Sequence, residues 1–170
     1  VYFFDEDSRL NERAFSQFSN SDVLTVCMLA LGNLEQLVSA DAISVLSHIS
    51  ELGVRAKIAL PIIQELLDSD AVDKANLKFF AALSIVRIAG NVSQQLEDAL
   101  IAPLLSIDST AALQTEDLRI LREYYASEAF KVLPYITTGK APLKIIAQLS
   151  ELVLCPQESL SVRGTVMKCA

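Results

Sequence analysis

The sequence predicts an all-α chain of consecutive antiparallel helix pairs, and three observations predict it. Apolar residues recur at intervals of three and four wherever the spacing can be tested, the period of one helix face. Gly and Pro number only five each in 170 residues, so turn punctuation is sparse. Alternating β-branched runs bounded by turn residues are missing, apart from Val1 to Phe4.

Each element is expected in turn. A short leading helix runs from about Ser8 to Phe18. The next spans Asp22 to Val38, with Ser21 or Asp22 as N-cap, because a short polar side chain there accepts from an unbonded N–H. A helix from Asp41 to Leu52 is ended by Gly53, since a left-handed C-cap costs Gly little. Val54 to Leu67 follows and stops before Asp68-Ser69-Asp70. From Val72 to Ala89, the residues Val72, Ala75, Phe79, Ala82, Leu83 and Val86 share one face, and Gly90 is the stop. Ser93 to Ile107 comes next. Thr115 caps the longest helix, to Ile136, whose stripe is Leu118, Leu121, Tyr125, Ala129, Val132 and Ile136. Pro142 opens a helix to Leu154 from its first turn, where a missing N–H is harmless. The last helix runs from about Ser159 to the end.

Composition narrows the class. The hydrophobic fraction is 52% and the mean hydropathy +0.38, which suits helices buried on more than one side. The longest uncharged stretch, Val23 to Leu34, has 12 residues, against roughly 20 for a membrane span. No signal-peptide pattern opens the chain. The net charge of −7 argues against binding nucleic acid, whose phosphates are neutralised by Lys and Arg. Cys27, Cys155 and Cys169 form no CxxC pair and read as buried or free thiols in a reducing, cytoplasmic compartment.

The helix list has a period. Ala59-Leu60-Pro61-Ile62-Ile63, Ile101-Ala102-Pro103-Leu104-Leu105 and Lys140-Ala141-Pro142-Leu143-Lys144 align on proline, 42 and 39 residues apart. Two helices in about 40 residues mark an array of the HEAT or armadillo kind. The stretch from Ala59 to Gly90 resembles a HEAT unit: Leu-Pro, a double Leu, an Asp turn at Asp68-Ser69-Asp70, then Ala81-Ala82-Leu83 in a second helix ended by Gly90. Val162-Arg163 is similar to the opening of the family's second helix. The resemblance covers residues 21–170 in about three and a half units and implies a HEAT-like α/α superhelix of three to four antiparallel pairs. Residues 1–20 stand before it as an N-terminal segment with the short helix. Pro61 and Pro103 are expected mid-helix, bending two first helices. The unit from Asp22 to Leu52 lacks both the proline and the Asp turn, so it reads as a cap or a divergent repeat. The apolar ends, Val1 to Phe4 and Val162 to Cys169, point to further repeats of a longer array, a partner, or self-association.

No constellation of residues points to chemistry. His48 is the only histidine, and adjacent Ser47 points about 100° away on a helix, so a Ser–His pair is not built there. Asp5-Glu6-Asp7 lacks the spacing of a calcium loop. Thr138-Gly139-Lys140 lacks the earlier Gly of a phosphate loop and follows a helix. Asn91-Val92-Ser93 is a glycosylation sequon with nothing else to suggest secretion. No catalytic residue, cofactor or metal is therefore expected, and the chain reads as no enzyme.

What remains is surface. The resemblance implies binding through a groove lined by second helices. The stripe Asp73, Asn76, Phe80, Ser84 and Arg87 lies beside the core face of the 72–89 helix. Phe80 with Arg87 reads as an interface anchor, or Phe80 packs on the next repeat. Arg119, Arg122 and Glu123 mix charges on the following second helix, either as contacts or as a solvated face. The expected function is a protein-interaction scaffold with a protein partner. Two alternatives resemble the HEAT-like alkylpurine DNA glycosylases and the HEAT-like bilin lyases; the acidic charge and absence of Trp speak against the first, and no residue specifically supports the second.

Overall fold

The computed structural model describes residues 19–33, 39–69, 75–106, 116–136, 138–139, 142–154, 163–164 and 167. The leading helix over Ser8 to Phe18, Val1 to Phe4, Asp73, Thr115, Cys155 and Cys169 lie outside the described residues. The described fold is all-helical, apart from one pair of two-residue strands. None of the described helices is long and apolar enough to cross a membrane. The chain divides into two compact units, Val1–Ala89 and Gly90–Ala170.

The first unit holds α1 (Asn20–Leu31), α2 (Ser39–Glu51), a 3-10 segment (Gly53–Ala59), α3 (Leu60–Asp68) and α4 (Ala75–Ala89). The N-cap of α1 is Ser19, two residues before the earliest candidate read from the sequence. The N–H of Asp22 donates to Ser19 Oγ while the N–H of Ser19 donates to Asp22 Oδ2. Asp22 is therefore the first-turn partner, at the third helical residue, of a reciprocal capping box and not the cap itself. The helix stops at Gly32, short of Val38.

Gly53 adopts a φ of +54° after α2, the left-handed state expected of it. The chain then winds as 3-10 helix to Ala59, and only from Leu60 as α-helix. Pro61 thus sits in the first turn of α3 and bends nothing. Its missing donor would have been unbonded there anyway, so the local cost is small. α4 packs against α2, α3 and the 3-10 segment. Its side chains from Phe79 through Val86, and Ile88, are all buried. The expected core residues Phe79, Ala82, Leu83 and Val86 are among them. They meet a core in which Val45, Leu46 and Ile49 of α2 and Ile63, Leu66 and Leu67 of α3 are also buried. Gly90 ends α4 with a φ of +69°.

The second unit holds β1 (Asn91–Val92), α5 (Gln94–Ser106), α6 (Glu116–Lys131), a 3-10 turn (Leu133–Tyr135), β2 (Thr138–Gly139) and α7 (Leu143–Leu154). Ser93 caps α5 by accepting from the N–H of Leu96. Pro103 does lie inside α5, as expected. α6 ends at Lys131, not Ile136, because Pro134 has no N–H for the next rung and its ring crowds the carbonyl of Phe130. β1 and β2 pair in parallel, Asn91 with Thr138 and Val92 with Gly139, a contact with no local signal in the sequence. α7 packs against α5 and α6.

Candidate interaction surface

The stripe on α4 does not line an opening. Asn76 is exposed, but Phe80 is buried, its ring edge-on to Phe79 with centroids 5.3 Å apart. Ser84 is wholly buried; its hydroxyl lies 2.8 Å from the carbonyl of Phe80 and 3.1 Å from that of Leu46 on α2. Arg87 is half-buried and donates through Nη1 to Ser50 Oγ on α2 at 3.3 Å. The interval of three and four placed these residues on one stripe correctly. It did not show that α2 would cover that stripe, which is why Phe80 is a core residue and no surface anchor. Asp73 lies outside the described residues.

On α6 the two arginines separate. Arg119 is on the surface, donating through Nε to Glu116 Oε2 at 3.0 Å, with Glu123 3.7 Å away on its other side. Its hydrogen bond and charge hold the Glu116 carboxyl below the usual carboxylate range. Arg122 is buried, and its Nη1 donates to the carbonyl of Leu104 at 2.6 Å. That carbonyl belongs to the last turn of α5, where helix carbonyls have no partner in their own helix. The buried face of α6 is accordingly Arg122, Tyr125, Ala126 and Ala129. Leu121, expected in the core, is exposed instead. Tyr125, Ala129 and Val132 of the expected stripe are buried as the spacing predicts, and Arg122 is covered where Leu121 was expected.

His48 donates through Nδ1 to the carbonyl of Ser44 on its own helix. Among the described residues no three His, Cys, Asp or Glu side chains converge as a metal site would need.

An apolar opening lies elsewhere in the second unit. Between α6 and α7 there is a cavity of about 350 Å³, bordered by Phe130, Leu133, Ile146, Leu149, Val153 and Leu154, with Met167 alongside. Ser150 is its one polar neighbour. α7 forms one wall because its apolar residues exceed one face. Ile145, Leu149 and Leu152 are buried, while Leu154 is 76% exposed and Ile146 44%. Met167, 60% exposed, belongs to the apolar stretch Val162 to Cys169 that the sequence marked as needing cover. That stretch was the signal for this site; Ile146 and Leu154 gave none, since an apolar residue at helical spacing reads equally well as core. The surface is suited to apolar contact, of a size that takes a few side chains. Comparison with protein-family models, with curated proteins and with solved structures finds no match to this chain, so its surface is read from its own geometry.

Proposed function

We propose that this chain is a non-catalytic, HEAT-like helical scaffold that binds a partner protein by taking a small cluster of the partner's apolar side chains into the groove between α6 and α7. The supporting observation is the groove's lining, seven apolar residues with Ser150 the one polar side chain, several of them large apolar groups left in water. Helices consecutive in sequence also pack on each other, α1 with α2, α3 with α4, and α5 with α6, as stacked pairs would. The proposed binding face differs from the α4 stripe read from the sequence. Phe80 and Arg122 lie in the interior, Asn76 is exposed, Arg119 and Glu123 are half-buried, and none of them lines the groove.

The test is an affinity capture from native lysate with the wild-type chain and with L154D. The captured protein is then titrated against both purified chains. Leu154 is exposed, so the substitution leaves helical content and the thermal midpoint near wild type. The expected result is a partner that binds the wild type and loses at least tenfold in affinity for L154D. Equal binding by the two chains sinks the groove reading.

A further inference from the structure

We propose that the joint between α5 and α7 is a clasp centred on Glu97 that sets where the groove's α7 wall stands. The inference rests on the groove reading above and deepens it. α7 begins after Pro142, whose side chain has no oxygen to accept from the unbonded N–H groups of the first turn. Glu97 supplies the acceptor from another helix. Its Oε1 receives the N–H of Lys144 at 3.0 Å and that of Ile145 at 3.5 Å. Glu97 itself stands in the first turn of α5, so an acidic residue at the start of one helix accepts at the positive start of another.

Two further ties act at the same place. Asp98 Oδ1 meets Lys144 Nζ at 2.5 Å. The residues just ahead of both helices are joined by the pairing of β1 with β2. α7 is thus held at its start on the α5 side, while the groove opens on its α6 side. Ile146, the first groove residue of α7, follows the capped Ile145 directly. Loosening the cap frees the turn that carries it.

Hydrogen exchange read by mass spectrometry on the whole chain tests the clasp without any partner. In E97A, exchange over Leu143–Leu154 rises roughly fivefold, the factor expected from a lost helix cap, while Glu116–Lys131 and Ala75–Ala89 keep wild-type rates. In D98A, which removes only the exposed ion pair, exchange stays within about twofold of wild type everywhere. Should E97A fail to fold, E97Q keeps an acceptor oxygen without the charge and gives the same pattern at about twofold. Unchanged exchange over Leu143–Leu154 in the Glu97 variants, or a rise spread equally through α6, overturns the clasp. Because the measurement needs no partner, an unsuccessful capture experiment leaves it intact, and its own failure leaves the groove available to a partner.

Discussion

In α4 the side chains from Phe79 through Val86 are all buried, whereas in α7 the buried Ile145, Leu149 and Leu152 alternate with Leu143, Ile146 and Leu154 in the open. Both helices are strongly apolar. α4 has neighbours on several sides, α2, α3 and the 3-10 segment, and its apolar surface is removed from water almost all round. α7 has the same kind of residues with α5 and α6 beside it and a gap along the α6 side. At about 25 cal/mol per Å², the surface α4 buries is stability already realised, and the surface α7 leaves open is free energy still available to binding. The difference places the more fully covered apolar helix in the first unit and the open apolar surface in the second.

The sharpest way to break that contrast is to truncate one residue of each kind. F79A removes a ring with no exposure from the first unit's core, and it is expected to destabilise the chain by about 3–5 kcal/mol in urea titration. A loss under 1 kcal/mol means that α4 is not the central element.

R122L comes next. It leaves the Leu104 carbonyl at the end of α5 without the Arg122 donor, at a cost of about 1–3 kcal/mol. An unchanged urea midpoint means that water takes over the carbonyl and that this end of α6 is wetter than the first unit's core.

The third test uses the thiol of Cys27, fully buried in α1. Burial pushes it up to about 11 from the ordinary 9.0. Above pH 9 the unfolded chain releases this proton and the folded chain keeps it, so stability falls as pH rises from 9 to about 11. The slope is at most about 1.4 kcal/mol per pH unit, and it is expected to be shallower in C27A. Identical slopes for the two chains show that the site admits solvent.

The smallest effect belongs to L143S. Leu143 is 70% exposed, and the urea midpoint is expected to shift by less than about 0.5 kcal/mol. A larger loss means that this end of α7 is covered, and the contrast with α4 narrows.

Much of the fold was legible locally. Gly53 and Gly90 ended the helices the sequence said they would, because each takes a left-handed φ of +54° and +69° that other residues resist. The core face of α4 followed from its spacing. Pro134 was legible too but lost to the apolar period running through Val132 and Ile136; a missing donor outweighs a matching stripe. The three prolines 42 and 39 residues apart proved to hold three different helical positions. Pro61 is in a first turn, Pro103 is inside a helix, and Pro142 comes just ahead of one. Similar spacing in sequence therefore did not mean equal position in structure.

By itself the sequence determined that the described fold is helical, where most helices lie, and that apolar surface exceeds what one face of each can hide. Those properties depend on backbone propensity and period, which act over a few residues. Only the tertiary structure decided that Phe80 and Ser84 are covered by α2, that Arg122 turns inward to a carbonyl 18 residues away, and that Glu97 caps a helix 47 residues on. Burial and hydrogen-bond partners belong to pairs of elements. A side chain's fate is set by what folds against it, which no spacing within its own helix records.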